Sequence, residues 1–155
     1  MTIDLRADLY EACQQISPTH SDYATLPVRD GFDWSSSLSG CDFDRLYLIV
    51  FRSVRRKSAD LQLLREHDDR AYEEALNSGG LLRYFKGSAN ERGECLSFCL
   101  WEKREQARKA AGAASHKSAA SITEQMYESY VLDRYWLTKV VTAREERLIF
   151  EPIQV

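Results

Sequence analysis

The stretch LYLIVFRSV, Leu46–Val54, constrains this chain more than any other. Its first six residues are all apolar or aromatic, and most favour β-structure. A strand with one wet face shows a polar residue at every second place. This one shows none before Arg52, so it is predicted to be a central strand buried on both faces. A sheet with a layer on each side follows. With 155 residues, 44% of them hydrophobic and 11% aromatic, the chain makes one domain. At that size roughly 70% of the unfolded surface can be buried without a disulfide or metal staple.

The other elements arrange themselves around this strand. Ser58 is the expected cap of a helix over 59–77, whose Leu61, Leu64, Ala71, Tyr72, Ala75 and Leu76 fall on one stripe. Ser78–Gly79–Gly80 stops it. LLRYFKG and CLSFCLW read as a hairpin joined by the turn-rich SANERGE. An Ala-rich helical pattern runs from Glu102 to about Ala111 and is interrupted near Gly112. YESYVLDRYWLTKVV is strongly β-forming, and RLIFEPIQV supplies a last strand. The order β-α-β-β-α-β with an added strand is the ferredoxin-like arrangement of an α+β domain. That domain is expected over 46–155. Residues 1–45 read as an arm with a helical pattern at Leu5, Leu9 and Ala12, then turns carrying Phe32 and Trp34, which are expected to anchor it on the body. Two helices cover one sheet face only. The other is expected to be covered by the arm or by a second copy of the sheet, and a homodimer is the expectation taken forward.

Several functions are disfavoured. The net charge of -3 and pI near 5.7 give no basic field, so no nucleic-acid partner is expected. No apolar stretch approaches the ~18 residues of a membrane span. The N-terminus carries acids and lacks the apolar core of a secretory signal, and four cysteines without a pairing pattern fit a reducing cytoplasm. Cys95, Ser97 and Cys99 share one strand face. The two thiols would be ~13 Å apart along a strand, too far for a bridge. GxGxxG, Walker, HExxH and GxSxG motifs are absent, and no histidine pair has ligand spacing, so neither cofactor nor metal is expected.

Asp68 is the most informative residue. Helical phase puts it among Leu61, Leu64, Ala71 and Ala75, where a carboxylate is costly unless paired or solvated. It pairs with an Arg such as Arg83, reaches solvent, or serves as a general base in a pocket between helix and sheet. His67 lies at the stripe's edge, and His116 follows the Gly112 interruption; both are further proton-transfer candidates. Small residues at Ala107, Ala110, Ala111 and Ala114 permit close packing or leave volume for a ligand. Arg83, Tyr84, Trp101, Tyr130 and Tyr135 are the candidates for substrate contact.

The segment CLSFCLWEKREQARKAAGAASHKSAA resembles the third strand and second helix of dimeric α+β barrel proteins, which include the antibiotic-biosynthesis monooxygenases. The likeness lies in the strand ending in Trp101, the polar turn Glu102–Arg104, the helix with Ala107, the interruption and His116. Over roughly 30–140, the stretches GFDWSS, LYLIVFRS, LWEKREQARKAA and YESYVLDRYWLTK resemble an uncharacterised fungal family of that type. The resemblance implies two protomers packed sheet to sheet, each with a pocket between its helices and sheet. Members of the superfamily include cofactor-free oxygenases, cyclases, isomerases, dehydratases and haem-degrading enzymes. The long arm departs from the shorter members. The expected function is a cofactor-independent enzyme of secondary metabolism, performing cyclisation, isomerisation or dehydration on a small apolar metabolite. The alternatives are a cofactor-free monooxygenase and a non-enzymatic homodimeric ligand-binding or stress protein.

Overall fold

The computed structural model describes residues 5–112 and 122–154. The elements run α1 (Leu5–Gln14), a 3-10 turn (Tyr23–Thr25), α2 (Trp34–Leu38), β1 (Arg45–Arg55), α3 (Leu61–Ser78), β2 (Leu81–Phe85), β3 (Glu94–Trp101), α4 (Arg104–Ala111), α5 (Thr123–Met126), β4 (Tyr127–Val141) and β5 (Glu146–Pro152). The five strands form one sheet in the order β2-β3-β1-β4-β5. Every neighbour pair is antiparallel. This is the ferredoxin-like α+β order expected from the sequence, with β5 added at the edge.

β1 is central and its two faces serve different layers. Leu46, Leu48 and Val50 are buried on one side with Leu96, Phe98, Leu100 and Leu137. Tyr47, Ile49 and Phe51 face the other side with Cys99, Trp101 and Trp136, under α3 and α4. The first face is covered by the N-terminal segment: Leu9, Cys13, Ile16, Val28, Phe32, Trp34 and Leu38 complete its core. Aromatic rings carry much of this contact. Phe32 meets Phe98 edge-on at 5.2 Å and Phe85 at 5.0 Å, and Trp34 lies 5.0 Å from Phe98. The Trp34 indole N–H donates to the Val28 carbonyl at 2.9 Å, so its polar atom is satisfied inside.

Cations rising from the sheet fasten the segment's backbone. Arg52 donates to the carbonyls of Ala24 and Leu26 at 3.1 and 2.6 Å. Arg83 donates to Ile16 O at 3.3 Å. Lys139, with only 3% of its side chain exposed, pairs with Glu146 and donates to the carbonyls of Leu38 and Cys41. The sheet face on which the sheet-to-sheet homodimer rested is thus occupied within one chain.

Two local expectations change. Asp60, not Ser58, caps α3, its carboxylate accepting from the Leu63 N–H at 3.1 Å. The α3 stripe is also narrower than the sequence suggested. Leu64 and Ala75 are buried, whereas Leu61, Tyr72 and Leu76 are 56%, 38% and 44% exposed. α3 therefore meets the sheet along Leu64, Asp68, Ala71 and Ala75. At its end Gly79 and Gly80 take φ of 82° and 84°, a conformation that side chains resist, and β2 starts at once.

Candidate functional site

The inward residues of α3 and α4 are small and leave space between the helices and the sheet unfilled. Ala71, Ala75, Ala107, Ala110 and Ala111 line a cavity of about 300 Å³ between helices and sheet. Its floor is the helix-facing side of the strands: Ile49, Phe51, Ser53 and Arg55 of β1, Cys95, Ser97, Cys99 and Trp101 of β3, and Tyr127, Tyr130, Leu132 and Arg134 of β4. The period of two is visible in those numbers along β1 and β3, and along β4 from Tyr130; the step of three from Tyr127 falls at the register shift beside Arg55.

Asp68 enters the cavity from α3. Its carboxylate lies 3.9 Å from the Lys86 ammonium, and its side chain is 27% exposed. Burial raises its pKa; Lys86, then Arg55, pull the other way without cancelling that rise. A carboxylate in this position holds a proton more readily than one in water, so it is a better proton acceptor when ionised. Around it stand three phenols. Burial pushes Tyr84 and Tyr130 upward, and pushes Tyr127 up to about 12, so at neutral pH all three are protonated donors. Tyr127 and Tyr130 rings lie 5.2 Å apart, as do Tyr72 and Tyr84. The thiols of Cys95 and Cys99 are likewise raised by burial, which argues against a thiolate nucleophile. The Trp101 indole N–H is buried with no acceptor among the described residues.

Of the predicted site residues, Asp68, His67, Tyr84, Trp101 and Tyr130 line the cavity together. His116 lies outside the described residues. Two candidates face the other layer. Arg83 precedes Tyr84 in β2 and so alternates to the opposite face, with Phe85, where it reaches the Ile16 carbonyl; the extra residue at Leu82 changes only the phase of Leu81. Asp68 consequently takes Lys86, not Arg83, as its cation. Tyr135, odd-numbered on β4 and so opposite to Tyr130, packs on the arm-side core 6.4 Å from Phe150.

A family model described as PB2B2.08-like matches residues 2–151. The chain belongs to that family. A curated member, the UPF0643 protein PB2B2.08 of Schizosaccharomyces pombe, is 29% identical over 97 residues, which are 59% of this chain and 44% of that protein. The match therefore spans less than half the length of that relative. Among solved structures, Rv0793 from Mycobacterium tuberculosis superposes with a TM-score of 0.52 at 15% identity, over 63% of this chain and 98% of its own. A candidate antibiotic biosynthesis monooxygenase from Nitrosomonas europaea gives 0.51 at 10% identity, over 63% and 92%. At such identities the likeness establishes the fold: this PB2B2.08-like chain has the scaffold of the antibiotic-biosynthesis-monooxygenase type.

Lys86, Arg55, Tyr127, Ser97 and Arg134 also line the cavity and were not among the predicted contacts. Arg55 was legible, because it continues the alternation of Tyr47, Ile49, Phe51 and Ser53; the sequence reading took it only as the end of a strand. Lys86 keeps the phase of Tyr84. Trp101 belongs to the helix-side core and is 2% exposed. Trp101→Ala is expected to cost ~3–5 kcal/mol, through lost burial and a new void. Urea unfolding measures this, and an unchanged midpoint would remove Trp101 from the core.

Proposed function

We propose that this protein is a cofactor-independent enzyme performing acid/base chemistry on a small, largely apolar metabolite. One observation carries the reading: a half-buried carboxylate of raised pKa, Asp68, enters a mainly apolar cavity beside a cation and protonated phenols. In the proposed step, ionised Asp68 accepts a proton from a carbon next to a ligand carbonyl. The C–H electron pair passes into the new C=C bond, and the carbonyl oxygen becomes an enolate oxygen. Lys86 or a tyrosine O–H donates to that oxygen. Return of the proton from Asp68 to a different atom completes an isomerisation; attack of the enolate carbon on a second carbonyl of the same ligand moves that C=O electron pair onto its oxygen, which takes the proton back from Asp68 and completes a cyclisation. Apolar walls keep water from competing.

The test needs no knowledge of the natural substrate. 2-Tetralone, a bicyclic ketone with an acidic C–H, is incubated with the protein in deuterium oxide and its mass followed. The expected result is accelerated deuterium uptake that does not depend on dioxygen. Uptake at the buffer rate would sink the acid/base reading. The second reading, oxygenation of an electron-rich phenol, rests on the aromatic lining of the same cavity, Trp101 with Tyr84, Tyr127 and Tyr130. A product formed only under dioxygen would favour it.

A further inference from the structure

The charge inside the cavity is opposite to that of the molecule. The chain carries a net charge of -3. Among the described residues the cavity is lined by three permanent cations, Arg55, Lys86 and Arg134, and by one acid, Asp68. With histidine neutral the lining is positive even when Asp68 is ionised. Arg55 and Lys86 gather with Asp68 and Tyr127 at one end, where β1 finishes, β2 has just finished and β4 begins. Arg134 sits further along the floor, opposite Ile49 in the β1–β4 register.

The ion pair in that cluster is loose. Lys86 and Asp68 are 3.9 Å apart, at the outer limit of an ion pair and beyond a hydrogen bond. The Arg55 guanidinium donates a hydrogen bond to the Tyr127 phenol, and its Nε–H is buried with no acceptor among the described residues. The remaining lining near it is Ser53, Ser97, Cys95 and Gly87, none of which can supply a second negative charge. The opposite walls are alanines, Ile49, Phe51 and Trp101.

From this charge imbalance we infer that the natural ligand is an apolar carboxylate, its acid group held at the Arg55–Lys86 end and its hydrocarbon body against the alanine walls. The inference rests on the reading of the cavity as the ligand site and narrows its substrate class. Guanidinium and ammonium groups recognise a carboxylate through charge-assisted hydrogen bonds, which strengthen in a cavity partly shielded from water. The same anion sits near Asp68. It therefore raises the proton affinity of that residue further when the ligand is bound, which suits a proton acceptor.

The experiment compares two probes of nearly equal shape, 2-naphthoate and its neutral analogue 2-naphthamide, by calorimetric titration at pH 7 and low salt. The expected result is that 2-naphthoate binds at least about tenfold tighter, that added salt narrows the gap, and that the gap closes in Lys86→Met and in Arg55→Met. Thermal unfolding of both variants confirms that they fold; Lys86, with 40% of its side chain exposed, is the safer of the two. Equal affinity for the two probes overturns the carboxylate assignment while leaving the acid/base reading standing. A preference that survives in folded Lys86→Met and Arg55→Met also overturns it. Failure of both probes to bind removes the cavity as the ligand site and takes the proposed function with it.

Discussion

Asp68→Asn is expected to lose proton transfer by a factor of about 10²–10⁴ in the deuterium-uptake assay, while folding as well as the parent protein. The asparagine keeps the volume and an acceptor oxygen beside Lys86, and removes only the ability to take a proton. The pH dependence sharpens the test. Because burial raises the pKa of Asp68, the acid limb of the rate profile should fall above the usual carboxylate range and vanish in the variant. Stability moves the other way. A carboxyl whose folded pKa exceeds its unfolded value favours the fold most when protonated, below the unfolded pKa. That contribution is lost as pH rises through the folded pKa. At neutral pH the ionised group is therefore a burden on the fold, so the melting temperature of Asp68→Asn at pH 7 should be no lower than that of the parent. A parent-like rate would remove Asp68 from the chemistry. A clear loss of melting temperature would make it a structural ion-pair partner of Lys86.

Removal of the arm should have the largest effect on the fold. Leu9, Ile16, Val28, Phe32, Trp34 and Leu38 are all buried against the sheet. At ~1.5–3 kcal/mol for each large apolar side chain, their loss is of the order of 10 kcal/mol, comparable to the whole net stability of a domain this size. A chain beginning at residue 45 is expected to yield no folded monomer and to associate through the bared face of Leu46, Leu48, Val50, Phe98 and Leu137. Light scattering and urea unfolding check this. A soluble monomer with a cooperative transition near that of the full chain would show that the arm is dispensable.

The sequence disclosed the layers better than the details that orient single side chains. β1 was legible because an unbroken apolar run has no other economical explanation than two covered faces. Asp68 was legible because helical phase is rigid over two turns. Arg83 was legible too: it adjoins Tyr84 in β2, so the two face opposite ways and cannot line one cavity, and the pairing irregularity at Leu82 hides only the phase of Leu81. The choice between Tyr130 and Tyr135 was not legible. Both faces of β4 carry aromatic and charged residues, so alternation separates the two sets without saying which one meets the helices. The cap of α3 was misplaced because Ser58 and Asp60 are both competent acceptors, and the approach of the chain from β1 decides between them.

The alanine walls have a consequence for how this scaffold diversifies. Ala71 and Ala111 line the cavity and keep exposed surface, and neither takes part in strand pairing. Replacement by serine, valine or leucine grows into empty space rather than into a packed neighbour. Descendants can therefore retune the length and girth of their ligand one methylene at a time, with the proton acceptor and the cationic end left in place.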